Sequence, residues 1–280
     1  MRLTPELSRW IAEQLARGCD PEDMVQALVT VGHEERFART ALANALPDAS
    51  VRALSEEAVR PVPEPLEDAL AGGTHVIASL DREVKVIARL NKPRLLVFEG
   101  VLSDAECAAL IEESKPKLER SRTVDRVSGG TELNAARTSE GTYFHHTESD
   151  LLVRINRRIA ALTRWPLENG EPLQILHYER GAQYEPHFDY FDANDPGTAK
   201  LISQGGQRVA TLIIYLNDPD AGGATIFPDI GLEIAAVRGN AVFFSYERAH
   251  PGTGTLHGGT PVTRGEKWIA TRWMRERPYC

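Results

Sequence analysis

Residues 184–190 read Tyr184-Glu185-Pro186-His187-Phe188-Asp189-Tyr190. Alternate residues of a strand share a face, so His187 and Asp189 would present an imidazole and a carboxylate to one point. Similar short runs surround this one: 94–98, 172–178, 208–216, 224–227, 241–245 and 267–274, separated by Gly, Pro and Asn/Asp clusters. Two helical patterns precede most of them. Ser103-Asp104-Ala105-Glu106 has the form of a capping box opening a helix through Ser114, and residues 150–163 carry a second helical repeat. Helices followed by many short strands predict an α+β fold with a sheet sandwich or barrel at its centre.

A lone His-x-Asp arises easily by chance, so it needs partners. His257 lies seventy residues downstream in Leu256-His257-Gly258-Gly259. Two His and one carboxylate on one face of an octahedron leave three positions open, which is the geometry of non-haem Fe(II) oxygenases. Ten residues further, Lys267 opens the last strand, where Ile269, Thr271 and Trp273 share its face. A lysine inside a barrel is costly unless an anion meets it. On spacing alone, an inward anchor for a carboxylate and a solvent-facing lysine at a barrel end fit equally. The adjacent pair His145-His146 would point to opposite strand faces and suits no shared metal.

Composition narrows the remaining classes. The 280 residues include 40 acidic and 32 basic side chains, a net charge of −8, which disfavours nucleic-acid binding by phosphate neutralisation. Cys19, Cys107 and Cys280 are odd in number and widely spaced, so neither a disulfide framework nor a thiolate zinc site is expected. The first fourteen residues mix charged and apolar side chains, unlike a signal peptide, and the apolar run 209–216 is too short to span a membrane. These readings predict no membrane partner and a reducing, cytoplasmic setting.

Residues 1–60 read as a helical extension. Pro5 suits a first helical position, Leu7, Trp10, Ile11 and Leu15 recur at helical spacing, Asp20-Pro21 opens a second helix, and a third would start near Glu34. Its simplest roles are packing or docking a partner; presenting substrate is the sharper one. Pro61, Pro63 and Pro65 mark a linker over 61–83, leaving 84–280 as the main domain.

Seven segments carry a resemblance in order: PRLLVFEGVLSDAECAALIE (93–112), RTSEGTYF (137–144), HYERGAQYEPHFDYF (177–191), GGQRVATLIIYLND (205–218), GGATIFP (222–228), GLEIAAVRGNAVFF (231–244) and LHGGTPVTRGEKWIATRW (256–273). Together they resemble the prolyl 4-hydroxylase family of Fe(II)/2-oxoglutarate-dependent dioxygenases. The resemblance covers residue 93 to the C-terminus and leaves the extension out. It implies a double-stranded β-helix (jelly roll) core with supporting helices. It implies Fe(II) on His187, Asp189 and His257, and the distal carboxylate of 2-oxoglutarate on Lys267 with Tyr178. Thr211 would be a further cosubstrate contact, Trp273 would wall the substrate side, and Arg137 with Ser139 would lie near the substrate groove. The implied reaction consumes O2 and 2-oxoglutarate, releases succinate and CO2, and hydroxylates an unactivated C–H, with ascorbate as a reductant. Its substrate would be proline C4 in a peptide or protein, or else a free amino acid or other small molecule. A non-catalytic β-barrel binding protein is the alternative of another class. The segment 192–207, long and rich in Gly, Pro and Asn, reads as a lid over the site.

Overall fold

The computed structural model describes residues 5–17, 19, 21–30, 33, 37–38, 41–42, 75–125, 127–132, 134 and 136–279. Helices α1 (Pro5–Ala16), α2 (Pro21–Thr30), α3 (Asp104–Ser114), α4 (Asp150–Thr163) and α5 (Thr198–Ile202) accompany seventeen strands. The strands are β1 (Val76–Ser79), β2 (Arg82–Leu90), β3 (Arg94–Glu99), β4 (Glu119–Arg120), β5 (Thr123–Val124), β6 (Thr131–Glu132), β7 (Glu140–Phe144), β8 (Leu173–Tyr178), β9 (Tyr184–His187) and β10 (Arg208–Tyr215). They continue as β11 (Ala221–Gly222), β12 (Thr225–Phe227), β13 (Leu232–Ile234), β14 (Ala241–Ser245), β15 (His257–Gly259), β16 (Val262–Arg264) and β17 (Lys267–Arg275).

Nine strands form one sheet in the order β1-β2-β3-β14-β10-β17-β8-β7-β4, and four form a smaller sheet, β13-β12-β15-β9. Every pairing is antiparallel. This is the double-stranded β-helix with supporting helices that the sequence led us to expect. The central strands are buried on both faces, so each alternate set has its own core. Leu212, Ile214, Ala270 and Met274 join Leu152, Ile155 and Ile159 of α4 in one cluster. Ile213, Tyr215 and Ile269 join Phe227, Ile234 and Phe244 in a second, between the two sheets. Truncating Leu152 or Ile155, both fully buried, would cost about 2–5 kcal/mol.

The helices follow local rules. Ser103 caps α3, and Glu106 returns its carboxylate to the Ser103 backbone N–H in the expected capping box. Ser149 caps α4, and the chain leaves it through Arg164 in a left-handed conformation. Between the helices Arg158, 2% exposed, grips two carboxylates, Glu106 of α3 and Asp81 of the β1–β2 turn. The large sheet therefore begins at Val76, eight residues before position 84. A linker over 61–83 overlaps β1 and the start of β2, which the unremarkable sequence there did not announce.

In the extension, α1 and α2 start at Pro5 and Pro21 and bury Ile11, Met24, Val25 and Leu28 together. Most of the third expected helix lies outside the described residues. Asp23 of α2 pairs with Arg277 just beyond β17 at 3.1 Å, which ties the extension to the end of the main domain. Cys19 is disulfide-bonded, contrary to the expectation from three scattered cysteines, whereas Cys107 is a free buried thiol. Among the described residues no helix is long and apolar enough to cross a membrane.

Candidate active site

The site lies between the two sheets. His187 ends β9 and His257 begins β15, and the register sets them directly opposite each other. Asp189 follows two residues after His187, and its carboxylate oxygens stand 3.5 Å from His187 Nε2 and 3.4 Å from His257 Nε2. One ligand atom from each of the three falls within 4.8 Å of the others. The two strands must approach closely for this. A Cβ on Gly258 would stand 2.9 Å from the Tyr184 carbonyl oxygen and 3.0 Å from Pro186 N.

Each imidazole is oriented through its far nitrogen. Nδ1 of His187 lies 2.9 Å from the Glu185 carbonyl oxygen, and Nδ1 of His257 lies 3.0 Å from that of Thr255. A carbonyl only accepts, so the Nδ1 atoms carry the hydrogens and both Nε2 lone pairs face Asp189. Burial pushes the His257 imidazole down to about 4, against the opposing charge of Asp189. Burial opposes the Asp189 charge, but His257, His187 and Arg208 hold its carboxyl well below the usual range. Two lone pairs and a carboxylate converging with no hydrogen between them suit a cation, and the ligand set suits Fe(II).

A cleft opens onto these groups. Lys267 lines it, 3% exposed, with Ile269, Thr271 and Trp273 from the same strand face. Lys267 stands opposite Tyr178 in register, and its Nζ is 5.5 Å from the Tyr178 ring. No carboxylate lies within salt-bridge distance of Lys267 among the described residues, and burial pushes its ammonium down to about 8. The lysine thus points inward, which spacing alone left open. Tyr178 is buried and its phenol is pushed up, chiefly by burial, so it keeps its proton as a donor.

Arg137 also lines the cleft, 4% exposed, bonded to Ser139 Oγ and Gln174 Oε1 and lying over the Tyr184 ring. Trp273 lines it too, and its indole Nε1 has no hydrogen-bond partner among the described residues. Thr211 differs from expectation. It is fully buried, does not line the cleft, and donates to Asp189 Oδ2 at 2.7 Å. The segment 192–207 contains the short helix α5 and is tied down by Arg275, which donates to the Leu201 and Gln204 carbonyls.

The sequence reading missed Arg208 and Glu171. Arg208 stacks 3.9 Å over the Trp273 ring and makes a two-point contact with the Glu171 carboxylate. Strand alternation counted back from Thr211 would turn Arg208 away from the cleft. A bulge between Arg208 and Ala210 reverses that parity and brings it inward. Tyr184 stacks on the His187 ring, a contact that strand alternation does not reveal.

A family model described as the 2OG-Fe(II) oxygenase superfamily matches residues 173–275. Prolyl 4-hydroxylase 2 of Arabidopsis thaliana is 37% identical over 220 residues, covering 70% of this chain and 72% of that protein. This chain belongs to the prolyl 4-hydroxylase family. Probable prolyl 4-hydroxylase 7 of the same plant is 38% identical over 207 residues, 67% of this chain and 64% of that protein, so the chain spans somewhat less than two thirds of this relative's length. Among solved structures, the viral collagen prolyl hydroxylase vCPH from Paramecium Bursaria Chlorella virus-1, in its 2OG complex, is 32% identical. It covers 65% of this chain and 95% of that one, with a TM-score of 0.49. Prolyl 4-hydroxylases of this superfamily use Fe(II), 2-oxoglutarate and O2, and the His187, Asp189 and His257 cluster offers the donor set they require.

Proposed function

We propose that this prolyl 4-hydroxylase homologue hydroxylates C4 of proline in a peptide or protein, with 2-oxoglutarate as cosubstrate. The observation that carries the reading is the convergence of a His187, Asp189 and His257 donor set and a buried, ion-pair-free Lys267 on one cleft.

Each side chain has a task set by its position. His187, Asp189 and His257 would hold Fe(II). When bound, the metal would let O2 act as the oxidant, with one oxygen atom going to the C–H and the other to 2-oxoglutarate, which leaves as succinate and CO2. Lys267 supplies a positive charge where the distal carboxylate of 2-oxoglutarate would end. Tyr178, protonated and directly across the strand pair, donates toward the same region. The apolar walls of Ile213 and Ile269 exclude water. Trp273 offers an aromatic face to a proline ring and is backed by the Arg208 guanidinium. Trp273 Nε1 has a free hydrogen for a peptide carbonyl. The relatives, named as prolyl 4-hydroxylases, support proline as the residue modified.

The test is incubation with Fe(II), 2-oxoglutarate and ascorbate, with proline-containing peptides in one arm and free proline in the other. Succinate release together with one added oxygen on peptidyl proline is expected. Oxygen added to free proline alone would move the substrate to a small molecule. No succinate in any arm would overturn the enzyme reading and leave a binding protein.

A further inference from the structure

We infer that Thr211 and Tyr246 are positioning residues that orient the Asp189 carboxylate for the metal, rather than contacts to the cosubstrate. This inference rests on the proposed metal reading.

Thr211 Oγ1 lies 2.7 Å from Asp189 Oδ2, and the Tyr246 hydroxyl lies 3.2 Å from Thr211 Oγ1. The directions of both hydrogen bonds follow from counting hydrogens. An ionised carboxylate only accepts, so the single hydroxyl hydrogen of Thr211 goes to Asp189. Thr211 can then only accept from Tyr246, which donates. Tyr246 is 4% exposed, and burial, with the Asp189 charge, pushes its phenol well above the ordinary value, so the hydrogen stays in place. The relay runs Tyr246 to Thr211 to Asp189 Oδ2.

Strand pairing holds the relay rigid. Thr211 on β10 faces Phe244 on β14 in register, and the Tyr246 backbone N–H bonds the Val209 carbonyl. Neither Thr211 nor Tyr246 lines the cleft. The Thr211 bond to Oδ2 fixes the rotation of the carboxylate, so that Oδ1 faces His187 Nε2 and Oδ2 faces His257 Nε2. A carboxylate held in this rotation would present a fixed donor to the metal that His187, Asp189 and His257 would hold. Partners of this kind behind a ligand commonly change metal affinity by about 10–100-fold.

The experiment measures Mn(II) and anaerobic Fe(II) affinity, and separately 2-oxoglutarate affinity at saturating metal. It uses wild type, Thr211→Val, Thr211→Ser, Tyr246→Phe and the Thr211→Val/Tyr246→Phe double variant. Thr211→Val should weaken metal binding by about 10–100-fold and Tyr246→Phe by less. The double variant should match Thr211→Val, because Tyr246 acts only through Thr211. Thr211→Ser, which restores the hydroxyl, should recover affinity. The affinity for 2-oxoglutarate should stay near wild type throughout. Unchanged metal affinity in Thr211→Val, beside normal binding by wild type, would overturn the inference, as would weakened 2-oxoglutarate binding alone. A folded wild type that binds neither ion would instead overturn the metal reading itself.

Discussion

His187 and His257 are direct cross-strand partners on β9 and β15, so the small sheet itself sets the distance between the two imidazoles. Their rings lie 4.5 Å apart, each fixed by a carbonyl behind it. Asp189 closes the group from the chain beyond β9.

Replacing His257 by alanine should abolish Fe(II) binding and 2-oxoglutarate turnover while the fold persists, because the removed ring belongs to a small strand rather than to the central sheet. Anaerobic metal titration with a circular-dichroism control is the measurement. Full metal affinity in the folded variant would disprove the ligand assignment.

Lys267→Ala should raise the KM for 2-oxoglutarate at least about tenfold. A charge-assisted contact is worth roughly 1.5–3 kcal/mol, against about 1.4 kcal/mol per tenfold. Lys267→Arg keeps the charge but not the shape, and should also be impaired. An unchanged KM in the alanine variant would place the cosubstrate elsewhere.

The same lysine carries a pH dependence. Its ammonium is pushed down to about 8 from the ordinary 10.5 by burial. Between those values the unfolded chain holds a proton that the folded chain has released. The cosubstrate-free protein should therefore gain stability as pH rises through that window. Affinity for 2-oxoglutarate should move the opposite way and fall above about pH 8, as the cation is lost. Thermal melts and 2-oxoglutarate titrations across pH 7–10 test both signs. Lys267→Met should flatten the stability trend.

Glu171→Gln should destabilise the protein by about 1–3 kcal/mol, because it leaves the mostly buried Arg208 guanidinium without its carboxylate. Denaturant unfolding reads the cost. A loss within about 0.5 kcal/mol would mean that Arg208 finds other partners, such as the Asp189 carbonyl, at little expense.

A chain beginning at residue 84 should be less stable than one beginning at 75. The shorter chain loses β1 and Asp81, one of the two carboxylates held by Arg158. Both should retain uncoupled 2-oxoglutarate turnover, since every cleft residue lies downstream. Equal melting temperatures would mean that the β1–β2 hairpin contributes nothing to the core.

By itself the sequence determined whatever follows from local periodicity. Alternation in 184–190 paired His187 with Asp189, alternation in 267–274 grouped Lys267, Ile269, Thr271 and Trp273, and Ser103 with Glu106 announced α3. The last two hold because side-chain direction is a property of the strand or helix that carries it, whereas Asp189 lies past the end of β9 and reaches His187 through the short two-residue spacing. Tertiary structure decided everything that depends on register between strands distant in sequence. That His257 meets His187, that Lys267 stands across from Tyr178, and that Thr211 serves Asp189 rather than the cleft are pairings between separate strands. Arg208 was hidden for a related reason: a single bulge reversed its face, and only the partner strand β17 makes that bulge visible. The β1–β2 hairpin was hidden because Asp81 gains its meaning from Arg158, seventy-seven residues away.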